Sequence, residues 1–126
     1  MTRVFRNGWF RKFVRKQKID DQALCDAVAR LERGLIDADL GGGLFKQRVP
    51  RQRAGKSGGY RTLVAFRTET RAVFVFGFAK SEKDNIDEDD ERDLKALAKL
   101  VLGLTEPEMD RLVEAGKFDE VKCAEQ

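Results

Sequence analysis

Between Lys46 and Lys83 the chain carries ten Lys and Arg side chains and two carboxylates, Glu69 and Glu82. The cations are Lys46, Arg48, Arg51, Arg53, Lys56, Arg61, Arg67, Arg71, Lys80 and Lys83. Residues 51–59 combine long cations with Gly55, Gly58 and Gly59, so backbone amides and charged side chains are offered together, which suits contacts to phosphate. The stretch is no nucleotide-binding P-loop: Gly55-Lys56-Ser57 lacks the upstream glycine and leads into a strand pattern, not a helix. Arg61 follows Tyr60 at the start of an apolar strand, where a cation can be aimed at a phosphate or paired with Glu69 or Glu82. Tyr60 can stack on a base or fill the edge of the core. Lys80 closes the next strand, and Lys80 and Arg61 converging across a hairpin would form an anion or phosphoryl-transfer site.

Other chemistries are excluded by composition. Histidine is absent, which removes Ser-His-Asp and Cys-His catalysis and His-based metal sites. Cys25 and Cys123 are far apart in sequence and form no CxxC pattern; Cys25, beside Leu24 and Val28, is expected in the core, and no disulfide staple is expected. No metal or cofactor is implied. The 126 residues suffice for one ordinary core. No apolar run is long enough to cross a bilayer, and the opening Met1-Thr2-Arg3-Val4-Phe5-Arg6 lacks a secretory signal, so a cytoplasmic location is expected. The net charge of +3 conceals a division: residues 1–83 hold 19 Lys and Arg against 8 Asp and Glu, and residues 84–126 hold 6 against 14. Such a split fits either a polyanion-binding surface on the first part or two separately solvated halves.

The elements that must position these cations can be read from period and caps. Val4 and Phe5 fit a short strand. Trp9, Phe10, Phe13 and Val14 have helical spacing opposite Arg11, Lys12, Arg15 and Lys16, which predicts Trp9 and the phenylalanines in the core. Asp20 caps a second helix whose stripe is Leu24, Val28, Leu31 and Leu35, and Gly41-Gly42-Gly43 breaks regular structure. Leu44–Val49 is a short strand bounded by Pro50. Tyr60–Arg67 and Ala72–Lys80 read as a hairpin around Thr68-Glu69-Thr70-Arg71, apolar on both faces and therefore central. Asp87 or a neighbour caps a third helix with the stripe Leu94, Leu97, Ala98 and Val101. Thr105-Glu106-Pro107-Glu108 is a capping box that opens a fourth. Residues 117–126 are expected to fray. The order β-α-α-β-β-β-α-α predicts one α+β domain over 1–126, with its core at about 3–115.

The segment Gly55 to Arg67, GKSGGYRTLVAFR, followed by Val75 to Ile86, VFGFAKSEKDNI, resembles the RelE/ParE superfamily of bacterial toxins, and within it the HigB-like RelE branch. The Trp9-Phe10 helix and the Ala38–Gly43 turn are similar to that branch too, and the resemblance spans residues 3–115. It implies a small antiparallel-dominated sheet with two N-terminal helices packed on it. It also implies metal-independent cleavage of messenger RNA, generally on the ribosome, by attack of the 2′-oxygen on the adjacent phosphate. By this resemblance Arg61 is the strand arginine that binds the phosphate. Lys46 and Arg48 stand where the family carries two lysines two residues apart, one linked to base catalysis. Lys80 is the strand-end lysine, and Tyr60 is a further candidate for the catalytic site. Arg51, Arg53, Lys56 and Lys83 are the RNA-binding candidates. Two positions depart from the pattern: Ser81 replaces a second arginine, and Ile86 or Asp87 stands where a tyrosine is expected, so the general acid is unassigned.

An ordinary lysine is a poor base at neutral pH, and neighbouring cations and partial burial improve it. Arginine supplies only charge stabilisation. The implied partner is an antitoxin encoded next door, usually a helix-turn-helix protein in this branch, together with mRNA and the ribosome. Three other readings remain at this point: a non-enzymatic inhibitor of DNA gyrase as in ParE, a plain nucleic-acid-binding module, and a degenerate member without activity.

Overall fold

The structure is a computed structural model that describes residues 2–50, 59–82 and 85–123. Six strands form one sheet in the order β2-β3-β4-β5-β1-β6. Its centre is the expected hairpin, β4 (Gly59–Arg67) and β5 (Arg71–Ala79), flanked by β3 (Leu44–Pro50) and by β1 (Arg3–Asn7). All pairings are antiparallel except β1 with β5. Both hairpin strands are buried along most of their length, as their continuous apolar runs require.

Helices cover both faces. On one side lie α1 (Gly8–Gln17) and α2 (Asp21–Glu32). Their Phe10, Val14, Leu24, Val28 and Leu31 pack with Tyr60, Val64, Phe66 and Phe74. On the other lie α3 (Glu88–Gly103) and α4 (Glu106–Glu114). Here Ala98, Val101, Leu102 and Met109 pack with Leu44, Leu63, Ala65, Val73 and Val75. The caps are those the sequence predicts: Asp20 accepts from the Ala23 amide, Asp87 from that of Asp90, and Thr105 with Glu108 closes a capping box. Gly77 permits close approach of α1, because a Cβ there would stand 2.8 Å from the Phe13 ring and 3.3 Å from that of Phe10.

Several expectations are corrected. Two strands join the predicted order: β2 (Ala38–Gly41), which pairs with β3, and β6 (Phe118–Val121), which pairs with β1. Residues 118–121 are thus part of the sheet rather than frayed. Pairing of β6 brings Cys123 to α2, and Cys25 and Cys123 form a disulfide across 98 residues of sequence, with Cα atoms 5.7 Å apart. Separation along the chain said nothing of this proximity, which β-pairing alone creates. Leu35 lies beyond the end of α2 and is exposed, because the chain turns at Arg33 and Gly34, and Trp9 is 44% exposed rather than in the core.

Charged groups fasten the periphery. Arg3 donates to Glu120 through Nε at 3.0 Å and Nη2 at 2.9 Å, and also reaches Glu106 and Asp110. Arg6 and Arg11 share Asp119. Arg71, 1% exposed, donates to the Val101 carbonyl at 2.8 Å and to Glu106 at 2.5 Å, while Arg67 donates to the Leu102 carbonyl at 2.9 Å. These two cations serve the C-terminal turn of α3, which has no basic residue of its own. Hydrogen bonds from Arg71 and then Arg3 hold the Glu106 carboxyl below its ordinary value, and Arg3 does the same to Glu120. Both acids are more readily protonated in the unfolded chain, so stability falls as pH drops through about 4.5 and below. Thermal melts between neutral pH and about pH 3 should show this loss, and Glu120→Gln should make the acid limb shallower.

Candidate functional site

Strand register decides which cations share a face. Across β3, β4 and β5, Arg48 pairs with Arg61 and Arg61 with Phe78, while Lys46 pairs with Leu63 and Leu63 with Phe76. Directly paired residues project from the same side of an antiparallel sheet. Lys46, Arg48 and Arg61 therefore stand on the face that α3 covers, together with Leu44, Leu63 and Phe78 of the core there. Cover thins along β3: Leu44 is buried, Lys46 half-buried and Arg48 exposed. Arg61 is half-buried. The cations thus occupy the part of the sheet beyond the helix.

What holds them differs from residue to residue. Lys46 Nζ donates to Asn85 Oδ1 at 3.1 Å, and the same oxygen accepts from the Ile86 amide at 3.0 Å. Asn85, in the approach to α3, was not singled out by sequence; only a cross-fold contact reveals it. Asp37 accepts from the Arg48 amide at 2.6 Å, and Arg30 donates to the Arg48 carbonyl, so the backbone of this residue is pinned from both sides. Among the described residues, neither Arg48 nor Arg61 forms an ion pair with a carboxylate. The pairing of Arg61 with Glu69 or Glu82, the structural role weighed from sequence, is not present. Lys80 lies opposite Gly59, to whose carbonyl its amide donates at 3.1 Å, and so stands diagonal to Arg61 rather than beside it.

Tyr60 is not brought to this face. Its neighbours across the ladder are Val49 and Ala79. Its ring is 2% exposed, edge-on to Phe13 with centroids 5.7 Å apart, and its hydroxyl donates to the Gln17 carbonyl at 3.4 Å. Adjacent strand positions point to opposite faces, so Arg61 at the cation face requires Tyr60 in the α1 and α2 core. Arg67 and Arg71 are likewise occupied structurally, as described above. Arg51, Arg53, Lys56 and Lys83 lie outside the described residues.

A sheet with two helices on each face, carrying partly uncovered cations on one face without carboxylate partners among the described residues, defines a small α+β protein. Comparison with known families places it further. The model of the RelE toxin of the RelE/RelB toxin–antitoxin system matches residues 2–121, nearly the whole chain. The chain belongs to the RelE toxin family, and its place is that of the toxin in a toxin–antitoxin system, with an antitoxin as its partner. A comparison with curated proteins finds no match.

The burial of Tyr60 can be tested against toxicity. Tyr60→Phe removes only a long hydrogen bond at the edge of the core and should leave growth inhibition within about twofold of the parent, measured by colony counts after induction. Arg71→Ala should instead lower Tm, because it removes a buried partner of Glu106 and of the α3 carbonyl.

Proposed function

We propose that this toxin is a metal-independent endoribonuclease that cleaves messenger RNA, in the cytoplasm and in association with the ribosome. The observation that carries the reading is the placement of Lys46, Arg48 and Arg61 at paired register positions on the open part of one sheet face, with no carboxylate bound to either arginine among the described residues. In this reading Arg61 binds the scissile phosphate and stabilises the charge that grows on it. Arg48, directly opposite, adds a second guanidinium. Arginine stays protonated, so Lys46 is the group assigned to take the proton of the 2′-hydroxyl. The 2′-oxygen bonds to phosphorus and the bond to the 5′-oxygen breaks. That oxygen takes a proton from solvent water as it leaves, Lys46 returns the proton it took to solvent, and the products are a 2′,3′-cyclic phosphate and a 5′-hydroxyl end. Positioning of the 2′-oxygen by the ribosome supplies much of the rate.

Lys80, diagonal to Arg61, is assigned to the flanking phosphate, as are Arg51, Arg53, Lys56 and Lys83. The helix-turn-helix antitoxin and the HigB-like branch belong to this proposal as well. A cytoplasmic toxin works where disulfides are rarely retained. There β6 would be held by its ladder and by the carboxylates on Arg3 and Arg6.

The purified toxin should cut ribosome-bound mRNA to fragments ending in 2′,3′-cyclic phosphate. Arg61→Ala should reduce the cleavage rate about 10²- to 10³-fold with an unchanged Tm. Intact transcripts accompanied by accumulating DNA breaks would overturn the reading in favour of gyrase inhibition.

A further inference from the structure

β1 pairs with β5 only from Arg71 to Phe74. Beyond Phe74 no strand among the described residues pairs with that edge of β5, and α1, which turns away from β1 at Asn7, runs alongside. Between the two lies a groove of about 330 Å³, walled by Trp9, Lys12, Phe13 and Lys16 on α1, by Phe78 of β5 and by Glu82 in the turn after it. Trp9 stacks at 5.3 Å from Phe13 and leans over the edge to 4.5 Å from Phe76, yet remains 44% exposed.

Three features decide what this groove suits. Its wall is aromatic, which favours a flat ring. Its α1 rim carries Lys12 and Lys16, on a stretch from Gly8 to Lys18 that holds no carboxylate. Arg11 is tied to Asp119, whereas Lys12 and Lys16 form no ion pair among the described residues. Finally, it adjoins the cation face, because Phe78 is the ladder partner of Arg61, one strand spacing of about 4.8 Å away. Glu82 argues against an acidic peptide, whose side chains its carboxylate would repel; it can instead accept a hydrogen bond from the exocyclic amine of a base.

We propose that the groove seats the base of the nucleotide next to the cleaved phosphate, against Trp9, with Lys12 and Lys16 on the adjoining phosphate, and that Trp9 thereby contributes to substrate selection. This rests on reading the Arg61 face as a ribonuclease site.

Trp9 is the sole tryptophan, so its fluorescence reports occupancy directly. Titration of the full chain with an uncleavable 2′-O-methyl trinucleotide should quench this emission saturably. Lys12→Ala with Lys16→Ala should flatten the dependence of log affinity on log salt by about two. Trp9→Leu should weaken binding about 5- to 100-fold, and the lysine variants keep the test open should that chain fail to fold. Arg61→Ala should still be quenched while losing cleavage. Undiminished cleavage in that variant would overturn the ribonuclease reading of the cation face. Unchanged emission with the trinucleotide in a chain that still cleaves RNA would overturn the groove assignment alone. Quenching by an acidic peptide but not by the trinucleotide would also overturn it, making the groove a protein seat.

Discussion

The register of β3, β4 and β5 is the constraint on which the rest depends. A strand shows alternate residues to opposite sides, so a shift of one residue would bury Arg61 under α1 and α2 and turn Tyr60 outward. The apolar residues prevent this: Leu63 and Ala65 are completely buried on the Arg61 side, as is Val64 on the Tyr60 side. The core therefore sets which cations share this face, and the polar contacts of Arg48 and Lys46 only add to it. It places Arg48 opposite Arg61 simply because Leu44 must stand opposite Ala65.

A second principle sorts the cations by what they meet. Arg67 and Arg71 end on carbonyls of the last turn of α3, and Arg3 and Arg6 end on carboxylates of β6 and the helices nearby. These residues fasten secondary structure to the sheet. Arg48 and Arg61 meet no carboxylate among the described residues, and Lys46 meets a neutral amide oxygen. These three cations stand together where α3 stops covering β3. Anion binding needs that arrangement, since a cation already neutralised contributes little to a phosphate.

Much of this was legible in sequence, for local reasons. Asp20, Asp87 and the Thr105 box mark helix starts because capping chemistry is confined to a few neighbouring residues. The β4 and β5 hairpin declares itself through two apolar runs around a polar turn. What stayed hidden depends on distant partners. Strand β6 is four residues with polar Asp119 and Glu120 at its centre, and it becomes a strand only because β1 offers an edge; the Cys25–Cys123 bond follows from it. Leu35 keeps the helical period after the helix has ended at Glu32. Trp9 has core spacing, but it meets only the edge of β5 at Phe76, which leaves it partly exposed. At the site, the candidacy of Arg61 came from a cation opening an apolar strand, that of Lys46 and Arg48 from a family resemblance, and their common face from strand register, while the seclusion of Tyr60 needed only a decision about which alternate positions meet α1.

The most direct test of the central claim is a solution NMR titration that follows the arginine Nε–H and lysine side-chain resonances as an uncleavable 2′-O-methyl dinucleotide is added. The account predicts saturable shifts at Arg61, Arg48 and Lys46, with Arg67 and Arg71 unmoved. Shifts absent from those three, or centred on the arginines that cap α3, would contradict it.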